Sequence, residues 1–257
     1  DRMMLNGSLK YQITDWLSAE VRGGADMYTT NTEDKTYDGG PLANSYSTGK
    51  TTFVETNYSA MINASKKNVF GKLGGSVMIG GNLMDHKWSS ISGSTGQLEV
   101  PNLFSLNNSA GTTSVGAGFS HKKINSLYGS LEFNYDDWIF LTLTNRNDWS
   151  SALSAANRSY SYPSVNLSYV VTNMLESVGT TVPEWLSYAK VRASYASVGN
   201  DMGPYNLYNG YSIGKDPLGG TTAEKESLLK DPNVVNELLK SVELGAEMRF
   251  LDNRLGI

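Results

Sequence analysis

The sequence predicts an all-β fold: part of the wall of an antiparallel up-and-down transmembrane β-barrel. Three observations predict it. Apolar and polar residues alternate over stretches longer than globular strands. The connections between these stretches are short and long by turns. Charged residues keep to one face of each stretch.

Period-2 alternation places strands at about 3–13, 17–28, 52–64, 69–83, 124–134, 138–148, 160–172, 189–198 and 240–250, with a tenth beginning near Arg254. Most are well above the ~5–6 residues usual for globular strands and match the ~9–11 of a transmembrane strand.

Strand 17–28 turns Leu17, Ala19, Val21, Gly23, Ala25 and Met27 one way, and Ser18, Glu20, Arg22, Gly24 and Asp26 the other. Strand 69–83 sets Val69, Leu73, Val77, Ile79 and Leu83 against Lys72, Ser76 and Asn82. Strand 138–148 sets Ile139, Leu141 and Leu143 against Thr142, Thr144, Arg146 and Asp148. Strand 240–250 sets Val242, Leu244, Ala246, Met248 and Phe250 against Glu243, Glu247 and Arg249. Lys10, Glu55, Glu132, Lys190 and Arg192 also fall on polar faces. A lipid-facing charge at mid-bilayer costs about 2–4 kcal/mol, whereas a hydrated lumen tolerates charges of both signs.

Short links are expected at Thr14-Asp15-Trp16, Ser65-Lys66-Lys67-Asn68, Tyr135-Asp136-Asp137 and Asp252-Asn253, with a longer one at 173–188. Long polar connections are expected at 29–51, 84–123, 149–159 and 199–239. Outer-membrane barrels have this asymmetry, with turns on the periplasmic rim and loops outside. Tyr11, Trp16, Tyr135, Trp138, Tyr169, Trp185 and Phe250 cluster near the short links, as an interfacial girdle does.

Composition narrows the class further. The net charge of −4 carries no basic excess that would point to nucleic acid. Cysteine is absent, so disulfides and thiolate metal sites are excluded. No apolar run reaches the ~18–20 residues of a membrane-spanning helix.

Little in the sequence suggests catalysis, and no cofactor or metal site is expected. STGKTT at 47–52 lacks the first glycine of a phosphate loop, with Asn44 in its place. SYAK at 187–190 and SLLK at 227–230 lack the companion elements of Ser-x-x-Lys enzymes. His86 and His121 are expected at the surface, in or beside one long loop.

The candidate functional residues lie where strands meet the long loops: Arg146, Asp148, Trp149, Tyr160, Tyr162, Asn200 and Asp201. One reading makes Arg146 and Asp148 a lumenal ion pair that locks neighbouring strands. The other makes the group a contact for a plug domain or a polar ligand, since aromatic faces stack on sugars or peptides and charges orient them.

The run RNDWSSALSAANRSYSYPSVNLSYV (146–170) followed by AKVRASYASVGND (189–201) closely resembles the barrel of SusC/RagA-like TonB-dependent transporters. INSLYGSLEFNYDDWIFLTLT, SVELGAEMRFLDNRLGI, LEVPNLFSLNNS and ITDWLSAEVRGGADMY fit the same pattern in order. The resemblance implies a Gram-negative outer-membrane importer with a barrel of about 22 strands, of which residues 1–257 are expected to supply nine or ten as an interior section. The plug, the TonB box and the closing strands are expected outside this section. It also implies three kinds of partner besides outer-membrane lipid: a SusD-like surface lipoprotein, the TonB–ExbB–ExbD complex reached through the N-terminal region, and an oligosaccharide or oligopeptide ligand. Two open sheet edges in a bilayer leave backbone groups unsatisfied, so the section alone is not expected to insert stably.

Overall fold

The computed structural model describes residues 1–257. Ten strands form one sheet: β1 (Arg2–Thr14), β2 (Leu17–Thr36), β3 (Ser45–Phe70), β4 (Leu73–Gln97), β5 (Ser114–Tyr135), β6 (Ile139–Ser150), β7 (Ser159–Val170), β8 (Leu186–Asn200), β11 (Glu237–Phe250) and β12 (Leu255–Gly256). Between β8 and β11 a separate hairpin pairs β9 (Tyr211–Lys215) with β10 (Thr221–Lys225). A short helix, α1 (Val171–Ser177), lies between β7 and β8. The main sheet runs in chain order, with each strand beside the next and β8 beside β11, as a meander requires.

The registers carry the alternation from strand to strand. Phe133 pairs with Leu141, Leu141 with Leu167, Leu167 with Ala193 and Ala193 with Leu244. One residue along, Glu132 pairs with Thr142, Thr142 with Asn166, Asn166 with Ser194 and Ser194 with Glu243. One face is therefore an apolar band across five strands, and the other is polar with charges.

The apolar band is not a protein core. Leu244 is 82% exposed, and Val165, Leu167 and Val191 are exposed with it. A sandwich of two sheets would bury these side chains against each other. A surface of this extent left open marks contact with another phase or partner.

The short links run over 15–16, 71–72 and 136–138, and the last widens to 251–254. Asp136 and Asp137 have φ of 50° and 56°, the mirror-type two-residue turn that matches strand twist. The Trp138 N–H closes it on the Tyr135 carbonyl at 3.1 Å. The expected turn at Ser65–Asn68 is instead the last part of β3. The chain reverses at Gly71-Lys72, where Gly71 takes φ 58°, a conformation that costs glycine little.

The upper strands reach much further than expected. Residues 29–36, 45–51, 84–97 and 114–123 are strand, leaving connections at 37–44 and 98–113. Their Ser, Thr, Gly and Asn content hid them, because small and polar residues on both faces leave little alternation to read. STGKTT lies inside β3, and His86 and His121 stand in β4 and β5. β7 ends at Val170, where α1 takes over, and β8 begins three residues earlier than the alternation indicates.

By contact density the chain forms two compact units. One comprises residues 1–7, 23–58 and 84–123; the other comprises 8–22, 59–83 and 124–257. In the first, Arg2 makes a two-point ion pair with Asp26. Tyr28 stacks on Phe53 with centroids 4.6 Å apart, and His86 meets Phe53 edge-on at 4.9 Å. In the second, Tyr135, Trp138 and Tyr169 form an edge-to-face chain at 5.5 and 5.4 Å, and Trp185 stacks on Phe250. Five of the seven aromatics predicted for an interfacial girdle thus touch a neighbour, in two groups.

Candidate functional site

Arg146 and Asp148 are two apart on β6 and so share one face. That face carries Thr142 and Thr144, opposite the apolar band. The register places Tyr128 and Ser126 of β5 on one side of the pair, and Tyr162 and Tyr160 of β7 on the other.

Hydrogen bonds and ring contacts link the members of this group to one another. Arg146 Nε donates to Asp148 Oδ1 at 2.8 Å, and its Nη2 donates to Ser126 Oγ at 2.7 Å. The guanidinium lies over the Tyr128 ring, 5.5 Å from its centroid, a favourable cation–π placement. Asp148 Oδ2 accepts from the Tyr162 hydroxyl at 2.5 Å. Tyr162 in turn stacks on Tyr160 at 6.0 Å. Ser150, two residues beyond Asp148, donates to Asp201 just past the end of β8, and its Oγ accepts from the Ala152 N–H.

The group is dry. Asp148 is 6% exposed and Ser150 is 1% exposed; Ser126 and Tyr160 are also buried. Gly199 of β8 lets the tyrosines settle: a Cβ there would lie 2.8 Å from Tyr162 and 2.9 Å from Tyr160. The loops add to the cover, since Asn157 Nδ2 donates to the Asn233 carbonyl at 2.8 Å.

Five of the seven predicted residues are therefore brought together: Arg146, Asp148, Tyr160, Tyr162 and Asp201. Trp149 is not among them. It has the opposite strand parity and lies, partly exposed, on the face that carries Leu141. Asn200 is exposed at the last position of β8, in register with Glu237. Sequence reasoning missed Ser126, Tyr128 and Ser150. The parity rule that selected Arg146 and Asp148 also selects Ser150, but two adjacent serines draw no attention.

Chemically this group is a closed network. No acid or base stands free to exchange a proton with a ligand, and no three His, Asp or Glu side chains converge as a metal site would require. The arrangement ties β5, β6, β7 and the chain after β8 together.

In the other unit the polar face offers a different surface. Tyr28, Phe53 and His86 form a row across β2, β3 and β4. Glu55 stands beside it, 3.3 Å from His86 Nδ1 and 2.9 Å from Asn57 Nδ2. All four side chains named with Asn57 are partly exposed rather than sealed.

Comparison with known proteins gives this architecture a setting. The fold matches the RagAB peptide transporter with a TM-score of 0.87 over 99% of this chain and 28% of that one, at 19% identity. The same importer in its closed-closed state matches with a TM-score of 0.85. The fold is that of a section of a SusC/RagA-type TonB-dependent transporter barrel. An outer-membrane barrel of this type presents an apolar band of this kind to lipid. TonB-dependent receptor P26 of Formosa agariphila is 28% identical over 140 residues, which is 53% of this chain and 14% of the receptor. The chain thus spans under a third of the length of these proteins. No family model matches the sequence.

Proposed function

We propose that residues 1–257 form one section of the barrel domain of a TonB-dependent importer. This importer takes up an oligomeric nutrient delivered by a SusD-like surface lipoprotein. Passage needs no covalent chemistry: ligand rests on polar groups of the lumen and the upper loops, then moves when TonB, with ExbB and ExbD, remodels the plug. The observation that carries this reading is the fold match of 99% of the chain to the RagAB peptide transporter, with a TM-score of 0.87. A polar wall dense in charges supports it, since a barrel interior open to water retains such residues.

An oligosaccharide is the cargo we favour. The row Tyr28–Phe53–His86, flanked by Glu55 and Asn57, combines ring surface with hydrogen-bonding groups, as polar ligand sites do. A second reading, oligopeptide cargo, draws on the likeness to the RagAB peptide importer and on the mixed-sign pairs of the wall, such as Arg22 with Glu20 and Arg249 with Glu247.

The sealed network changes what Arg146, Asp148, Tyr160, Tyr162 and Asp201 are proposed to do. They hold the wall in shape under the loops, and Trp149 and Asn200 make any contact with ligand or partner independently of them. Loop 98–113 in one unit and loop 201–236 in the other are each proposed to meet the lipoprotein.

The test is growth of a strain carrying the intact transporter with residues 206–230 deleted, on oligosaccharide and on oligopeptide as sole nutrient. Loss of growth and of lipoprotein pull-down supports the loop assignment, and the nutrient that fails names the cargo. Unchanged growth on both, with unchanged pull-down, overturns the proposal.

A further inference from the structure

One feature of the lipid face has no part in transport. Near the short-turn end, a groove of about 370 Å³ opens on the apolar side of β3, β4 and β5. Its floor is made of small residues, Ala64 and Gly75, and its walls are Trp16, Phe70, Val77 and Phe133. Gly75 is fixed by close packing, since a Cβ there would lie 2.7 Å from the Glu132 carbonyl oxygen. The groove follows from this packing and from the small side chain at Ala64.

Lys66 also lines the groove. It has the strand parity of Ala64 and Ile62, so it stands on the apolar face of β3, which carries no other charge between residues 52 and 64. It is exposed and makes no ion pair. A lysine there is tolerable only where its ammonium reaches headgroup depth. Trp16 and the aromatic chain at this rim mark the same depth.

We propose that this groove holds a glycerophospholipid of the periplasmic leaflet. One acyl chain lies along Ala64, Val77 and Phe133, and the headgroup phosphate meets Lys66. The occupant is argued from charge complementarity and from continuity with the lipid-facing band. A peptide would need partners for its backbone N–H and C=O groups all along its length, and Ser65, Ser76 and Glu132 are the few polar side chains besides Lys66 in a mostly apolar lining.

The experiment uses the full-length transporter, exchanged into detergent micelles with equal phosphatidylglycerol and phosphatidylethanolamine, and read by native mass spectrometry. Wild type should retain one phospholipid, with phosphatidylglycerol preferred. Ala64→Phe fills the floor with a side chain the lipid face accepts, and should cut retention about tenfold. Lys66→Gln should keep the lipid but lower the preference for the anionic headgroup about fivefold. Phe70→Ala removes an exposed wall without touching the sheet, and gives a second reading if Ala64→Phe fails to assemble. Equal retention by wild type, Ala64→Phe and Phe70→Ala would overturn the site. An unchanged headgroup preference in Lys66→Gln would overturn the phosphate contact. Neither result bears on which nutrient is carried.

Discussion

The two ends of the β5–β6–β7 ribbon use the same chemistry in opposite surroundings. At the short turns, Asp136 takes hydrogen bonds from Lys72 and Ser177, and Lys72 is more than half exposed. At the loop end, Asp148 takes them from Arg146 and Tyr162 and is nearly out of water. Exposed ion pairs contribute about 0–1 kcal/mol. A buried carboxylate that loses its partner costs several times more. The difference teaches that the loop-end network holds the wall together, while the turn-end cluster only trims the shape of the rim.

Both ends presuppose that the ribbon between them crosses hydrocarbon, and breaking that premise should give the largest effect. Leu141→Arg puts a charge in the middle of the apolar band and should cost about 2–4 kcal/mol. Thr142→Arg, one residue along, points to water and should assemble normally. The heat-modifiable band on gels reads both. Equal assembly of the two variants would remove the lipid-facing register.

The second effect sharpens the contrast between the ends. Asp148→Ala strands the Arg146 guanidinium and the Tyr162 hydroxyl, and should destabilise by about 2–3 kcal/mol. That is below the figure for a fully buried pair, because about a third of the Arg146 side chain still meets water. Replacing both charges, Arg146→Met with Asp148→Leu, should recover more than half of the loss in urea unfolding. Next, Gly199→Val should push Tyr160 and Tyr162 from their stacked positions and cost about 1–3 kcal/mol by overpacking. Unchanged tyrosine near-ultraviolet circular dichroism in that variant would show that the rings do not depend on Gly199.

What the sequence made legible, and what it hid, follows the same physical line. Where one face is apolar throughout, as in 138–148 and 240–250, the alternation is plain and the strands read to within a few residues. Where small and polar residues occupy both faces, as in 84–97, alternation fades and strand reads as loop. Arg146 and Asp148 were legible because parity put two opposite charges on one face. Trp149 was misplaced by proximity in sequence, since one step along a strand moves a side chain to the other face. Asp201 was legible only as a neighbour of the ribbon, because its partner Ser150 lies 51 residues away. Burial of the network could not be read at all, since it depends on how residues 151–158 and 201–236 fold over the strands.

The smallest effect belongs to the turn end, and its pH dependence has a definite sign. The hydrogen bond from Lys72, and then that from Ser177, hold the Asp136 carboxyl below its ordinary value. Asp136 holds the Lys72 ammonium above its own. For Asp136 the unfolded chain binds the proton more readily than the folded one. The contribution is therefore complete above the unfolded value of about 3.9 and is lost as pH falls through the lowered folded value. For Lys72 it is complete below about 10.4 and is lost as pH rises through the raised folded value. Between these limits the difference in stability between wild type and Asp136→Asn should be small and flat. It should also vanish in about 1 M salt, where the screening length falls to about 3 Å. The Asp148→Ala deficit should persist in that salt, because water and ions do not reach the buried carboxylate. Thermal unfolding of both variants at low and high salt makes the comparison. Equal salt sensitivity at the two ends would mean that burial does not separate them.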